Sequence, residues 1–82
     1  MTFYCYMVEC CDCSLYTGWT IDPERRVSQH NAGQGAAYTR LHRPVKLVYL
    51  EEQPDRSSAM RREHTLKKLR HDQKVALIHS KR

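Results

Sequence analysis

At 82 residues the chain has room for one domain around one modest core, and none for a second. Hydrophobic residues at 40% and aromatics at 9% exclude a disordered chain, and no apolar run approaches the roughly 20 residues that cross a membrane. A net charge of +5 favours a polyanionic partner, nucleic acid before an anionic membrane, although charge alone suits a merely basic protein equally well.

The opening MTFYCYMVEC lacks the basic leader and small-residue cleavage site of a signal peptide, so a cytoplasmic location is expected. Residues 3–10 are aromatic and β-branched and read as a strand, with Tyr4, Tyr6 and Val8 on one face and Phe3, Cys5 and Met7 on the other. Both faces look apolar, which predicts a central strand. Cys11 to Ser14 form a polar break suited to a hairpin, and Leu15 to Thr20 return as the second strand. Gly18 inside that strand predicts a bulge, or a close approach by another backbone or a ligand. All four cysteines, at 5, 10, 11 and 13, sit at this end. Disulfides so close together would staple nothing distant, so free thiols are expected. Cys10, Cys11 and Cys13 could hold a soft metal, but no second Cys/His cluster has zinc-site spacing, and a metal centre there is not expected.

Asp22-Pro23-Glu24 is a helix start: a cap, a proline for the first helical position and an acid for the dipole. The helix is expected to run to Asn31 and stop before Gly33. Arg26 and His30, four apart, share one of its faces. A tyrosine at a strand end, Tyr16, followed by that arginine and histidine suits a phosphate. Residues 31–44 carry two glycines and a proline and read as a loop, with one helical turn near Ala36–Tyr38. Its Arg40, His42 and Arg43 either contact phosphate or are simply solvated. A third strand is expected from Val45 to Glu52, with Val45, Leu47 and Tyr49 alternating against Lys46, Val48 and Leu50. A second helix should span Ser58 to Arg70, capped by Asp55 or Ser57, with Ala59, Leu66 and Leu69 on one arc and Glu63 at its margin. A carboxylate beside a core stripe needs a partner or a cation. Asp72 is placed to cap a last helix from Gln73 to His79. The order is strand, strand, helix, strand, helix, helix. This predicts an α+β fold: an antiparallel hairpin plus a third strand, flanked by helices.

Tyr4-Cys5-Tyr6, Tyr16-Thr17-Gly18, Arg26, His30 and Glu63, in that order and spacing, resemble the GIY-YIG nuclease family. The likeness covers nearly the whole chain and is strongest to small, single-domain bacterial members, which share stretches such as YTGWT, ERRVSQHNAGQGAAYTR and RPVKLVY. Each triad alone is a weak signal; the ordered set is a strong one. Tyr4 and Cys5 depart from the glycine and aliphatic residue of the first triad. A thiol packs as a small apolar group, so the strand need not suffer. Trp19 stands where some repair nucleases of the family carry a lysine.

The resemblance implies a single GIY-YIG-like domain over residues 1–82 and a metal-dependent endonuclease that hydrolyses DNA. Weak or structure-selective specificity and a place in DNA repair or recombination go with it. It implies a divalent ion, Mg²⁺ or Mn²⁺, held by Glu63, with Arg26 at the phosphate. Tyr6 and Tyr16 would line the site and orient water, one of them or His30 being the base, and Gly18 would shape it. Arg25, Arg40, Arg43 and Lys67 are candidate nucleic-acid contacts. Each residue also has a plainer account: Tyr6 as core, Arg26 as a solvated helix face, Glu63 paired with Lys67 one turn on. The alternative function is a nucleic-acid-binding module that keeps the fold and cuts slowly or not at all. A third is a protein-interaction role without nucleic acid, though no obligate protein partner is evident.

Overall fold

In the computed structural model, which describes residues 1–80, the first strand is the axis of the molecule. β1 (Phe3–Glu9) lies between β2 (Leu15–Thr20) and β3 (Lys46–Gln53), antiparallel to both, in a three-stranded sheet of order β2-β1-β3. Alternation along β1 builds a core on each face, as its sequence predicts. Cys5 and Met7 join Tyr49, Ala59, Leu66 and Ile78 on one side. Tyr6 and Val8 join Cys10 and Val45 on the other, with Tyr16 and Val27 packed against them. A strand buried on both faces has no room for charge, and β1 has none before Glu9.

The third strand departs from simple alternation. Met7 pairs with Tyr49 but Val8 pairs with Leu47, so one extra residue of β3 is accommodated there. The irregularity puts Val45 and Tyr49 in opposite cores, where strict alternation would put them together. No glycine marks the bulge in the sequence. β3 also begins one residue later than expected, because the Val45 backbone is engaged elsewhere. The Asn31 side chain donates to the Val45 carbonyl at 3.0 Å and accepts from its N–H at 2.7 Å. The end of the first helix is thereby clasped to the start of the strand.

That helix, α1 (Pro23–Asn31), is as its sequence predicts. Asp22 Oδ1 accepts from the Arg25 N–H at 3.1 Å, and Gly33 beyond its end takes φ 81°. The segment expected to be a loop with one turn instead contains α2 (Ala37–Leu41), a five-residue helix. It escapes a search for apolar periodicity because its one buried residue is polar, Thr39.

α3 (Arg56–Lys67) begins earlier and ends earlier than expected, capped by Asp55, whose Oδ1 accepts from the Ser58 N–H at 2.8 Å. It lies on the Cys5/Met7 face through Ala59 and Leu66, with Leu69 packed just beyond its end. A charge network pins it to β3. Arg62 donates from two nitrogens to Glu51, at 2.8 and 3.2 Å, and Tyr49 and Gln53 donate to the same carboxylate. Burial first, and then the hydrogen bond to Glu51 and its charge, push the Tyr49 phenol up to about 12. α4 (His71–Ser80) starts two residues before the expected position. Asp72 is not its cap; it sits in the first turn and meets Arg70 at 3.2 Å on the surface. Gln73 takes the capping role, its Oε1 accepting from the Arg70 N–H at 2.9 Å while Lys74 N–H donates to Arg70 O. Among the described residues no helix is long and apolar enough to cross a membrane.

Candidate active site

Tyr6 and Gly18 face each other across the β1–β2 ladder, and this pairing organises the site. The tyrosine ring lies over the glycine. A Cβ at position 18 would come within 2.5 Å of the Tyr6 hydroxyl and 2.7 Å of its Cζ. Gly18 therefore serves a close approach, but by a side chain rather than by the backbone or ligand its sequence suggests, and the β1–β2 register runs through it without a bulge. Gly18→Ala is expected to displace Tyr6 and to cost roughly 1–3 kcal/mol as an overpacking change. Chemical denaturation would check this, and a cost below about 0.5 kcal/mol would show that the ring moves aside freely.

The Tyr6 hydroxyl points at α1. It lies 2.8 Å from His30 Nε2 and accepts from Arg26 Nε at 3.3 Å. His30 is fully buried, and its other nitrogen, Nδ1, lies 2.7 Å from Thr39 Oγ1. The Thr39 hydroxyl itself donates to the Ala36 carbonyl at 3.0 Å. Its single proton is thus spent, so Thr39 must accept from His30 Nδ1–H. His30 Nε2 is then the bare nitrogen, and the Tyr6 O–H donates to it. The proton positions follow from donor bookkeeping: Arg26 to Tyr6, Tyr6 to His30, His30 to Thr39, Thr39 to the α2 backbone.

Burial, and after it the Arg26 charge, hold the His30 pKa below its ordinary value, which keeps the ring neutral. Burial pushes the Tyr6 phenol up; the Arg26 hydrogen bond and charge offset this in part, and the Tyr16 and Glu63 charges add to it. Arg26 also donates to Gln29 Oε1 at 3.3 Å, but no carboxylate among the described residues lies within ion-pair reach of it. A guanidinium without a counter-charge, set against a phenol oxygen, favours an anion beside it.

Tyr16 is half-buried, with its ring edge-on to His30 at 5.5 Å between centroids. Lys67 of α3 sits over the ring, Nζ 5.8 Å from its centroid. The same ammonium lies 3.9 Å from Glu63 Oε1, the one-turn pair its spacing predicts. Through Lys67 the α3 carboxylate is brought to the Tyr16 side of the site, and its charge is felt at Tyr6. The side chain is 23% exposed and has no closer charged partner among the described residues. An N–O distance of 3.9 Å is too long for a hydrogen bond, so the carboxylate lone pairs stay available. One such carboxylate suits a hard cation that keeps most of its own water.

Arg25 and Arg26 line a cleft of about 400 Å³ with Thr20, Ile21 and Gln29. Arg40 and Arg43 line another of about 440 Å³ with Asn31, Leu41 and Pro44. Arg43 is partly committed to the backbone, donating to Arg40 O at 3.1 Å and Asn31 O at 3.3 Å. The cysteines are free thiols, Cys11 and Cys13 exposed. Cys5 Sγ donates to the Ala59 carbonyl at 3.2 Å, and burial pushes its thiol up to about 11. Among the described residues no group of three or more His, Cys, Asp or Glu is placed to hold a metal ion.

Two residues in contact with His30 stand outside the motif. Thr39 holds the imidazole tautomer, and Gly35 lies so close that a Cβ there would collide with His30 Nδ1. The sequence signals were the glycine itself and a threonine eight residues beyond Asn31, both inside an apparently featureless loop.

The fold class is α+β: a three-stranded antiparallel sheet, made of a hairpin and one further strand, with four helices among the described residues. The family follows from comparison. The model of the GIY-YIG catalytic domain matches residues 2–76, and the chain belongs to that family. It is 54% identical over 74 residues to a UPF0213 protein of Haloquadratum walsbyi, covering 90% of this chain and 83% of that one. A UPF0213 protein of Staphylococcus haemolyticus is 51% identical over 75 residues, 92% of each chain. The solution structure of a UPF0213 protein from Bacillus halodurans is 42% identical, with a TM-score of 0.63 over 99% of this chain and 86% of that one.

Proposed function

We propose that the protein is a divalent-metal-dependent endonuclease that hydrolyses phosphodiester bonds in DNA. One observation carries the reading: the unbalanced Arg26 guanidinium meets, at the Tyr6 oxygen, a chain of hydrogen bonds that runs through a neutral histidine to Thr39. Such a chain can take a proton away from a point where an anion is bound.

Hydrolysis needs water deprotonated, phosphoryl charge neutralised and the leaving oxygen helped. Glu63 would hold the metal ion, Mg²⁺ or Mn²⁺, which supplies Lewis-acid stabilisation of phosphoryl charge when bound. Arg26 binds a non-bridging phosphate oxygen with the N–H groups not given to Tyr6 and Gln29. His30 is sealed from solvent, so it receives a proton only through Tyr6. Tyr6, with its phenol pushed up, is not ionised at rest. It works as a shuttle: its O–H proton goes to His30 Nε2 as its oxygen takes the proton of the attacking water. No free phenolate is required, and Arg26 stabilises the charge that builds on the oxygen in passing. His30 then carries both protons, with Nδ1–H still directed at Thr39. Tyr16 lines the open side of the site and orients the substrate.

The pH dependence follows from His30. Only its neutral form accepts a proton, and its pKa is held below the ordinary value of about 6.5. Activity is expected to be full above that value and to fall only as pH drops through the lowered folded pKa. A rate profile with its acid limb above pH ~7 would assign the limb to another group.

The test is cleavage of supercoiled, branched and single-stranded DNA with Mg²⁺, Mn²⁺ or chelator, beside Arg26→Ala. Metal-dependent nicking that falls about 10²–10³-fold in the variant supports the reading, that range being the loss of one positioned charge donor. Cleavage that survives the substitution is a contaminant's. A second reading, a nucleic-acid-binding module without turnover, is favoured by two facts: Tyr6 is 1% exposed, and Lys67 rests beside the carboxylate that would hold the ion. It predicts salt-dependent DNA binding with no cutting under any metal.

A further inference from the structure

Tyr38 stands on α2 beside Thr39 and is 42% exposed. Its ring is nearly parallel to two others: His42 at 4.2 Å between centroids and 13° between planes, and Tyr16 at 6.3 Å and 17°. The stack is held from below. His42 Nδ1 donates to the Tyr38 carbonyl at 2.6 Å, its Nε2 lies 3.6 Å from the Asp12 carboxylate, and its carbonyl accepts from the Cys11 N–H at 3.1 Å. The hairpin turn therefore fixes His42, and His42 fixes Tyr38. Neither aromatic ring is needed by the core clusters, which close without them.

An exposed aromatic surface one ring away from Tyr16 meets what a nucleotide offers there. Its phosphate would sit at Arg26, and its base or the next one would reach the shelf. Every base has a π-face, so stacking on tyrosine is tolerant of sequence, whereas a base inside a duplex is already stacked on its neighbours. Resting on the nuclease reading above, we propose that Tyr38, backed by His42, is a base-stacking subsite that takes one unpaired nucleobase next to the scissile phosphate. The substrate it selects is a strand with an unpaired base at the cut, either single-stranded or at a frayed or branched junction. Intact duplex is disfavoured. Tyr38→Phe keeps the shelf; Tyr38→Leu keeps apolar bulk but removes the π-face.

The test is fluorescence anisotropy in chelator at fixed salt, with a single-stranded oligonucleotide and a blunt duplex of the same sequence. Tyr38→Leu is expected to weaken single-strand binding roughly tenfold or more, the effect of losing one base–aromatic stack. Tyr38→Phe should stay within about twofold of the wild type, and duplex binding should not change in either. Single-strand binding unchanged in Tyr38→Leu, or duplex binding reduced equally, overturns the subsite. A readout independent of any variant is 2-aminopurine moved along the strand in complex with the wild type. One responsive position beside the mapped cut supports the subsite, and a uniform response overturns it. If the wild type binds no nucleic acid with a salt-dependent affinity, subsite and nuclease fall together. If it binds and cuts while Tyr38→Leu binds as well as the wild type, the subsite alone falls.

Discussion

Glu63→Gln is expected to abolish metal-dependent cleavage, by on the order of 10³-fold or more, while the protein stays folded and still binds DNA. The size follows from the several kcal/mol a metal ion contributes to phosphoryl transfer, at about 1.4 kcal/mol per factor of ten. The fold should not notice. Glu63 is outside both buried clusters, and its pairing with Lys67 is a one-turn surface contact, worth about 0.3–0.5 kcal/mol at most. Lys67→Met separates the two roles of this neighbourhood. It should leave cleavage measurable, since the ion needs the carboxylate and not the ammonium. Thermal melts, DNA binding in chelator and nicking assays with Mn²⁺ titrated to saturation decide the matter together. If Glu63→Gln cuts within threefold of the wild type at saturating metal, the carboxylate is not the ligand.

Tyr6→Phe should lower the cleavage rate by about 10²–10⁴, the range for loss of a positioned proton-transfer group. The substitution deletes one oxygen and leaves the ring over Gly18. It also leaves His30 Nε2 without its donor in a fully buried setting, which should cost roughly 1–3 kcal/mol of stability. Substrate affinity should change little, because Arg26 keeps its charge and its bond to Gln29. A rate loss with unchanged KM, and disappearance of the acid limb in the pH profile, would mark the relay. A rate loss carried wholly by KM would instead make Tyr6 a binding residue and return the role of base to Tyr16.

Both experiments depend on residues that the sequence brings into view, and the reasons are local. Asp22-Pro23-Glu24 announces α1 because capping needs only neighbouring atoms. The alternation of Tyr4, Tyr6 and Val8 against Phe3, Cys5 and Met7 announces a strand with two buried faces. The one-turn spacing of Glu63 and Lys67 announces their contact. What stays hidden is non-local or polar. Thr39 is buried because His30 needs an acceptor, a fact about a residue nine positions away, and no apolar pattern marks α2. The β3 bulge depends on which residue meets Val8 across the sheet, and the role of Gly18 depends on a ring coming from another strand. On the reading proposed above, the choice of base among Tyr6, Tyr16 and His30, open on spacing alone, turns on where the single Thr39 proton goes.

The hydrogen-bonded chain from Arg26 through Tyr6 and His30 to Thr39 lies wholly within the first half of the polypeptide, whereas the carboxylate comes from α3 alone. On the reading proposed above, inheritance can therefore act on the two parts separately. A lineage that loses Glu63 keeps its core, its sheet and its anion-favouring arginine, and so keeps a foldable protein able to hold nucleic acid. The evolutionary distance between cutting and merely binding is then a single codon, and it can be crossed in either direction without passing through an unfolded ancestor.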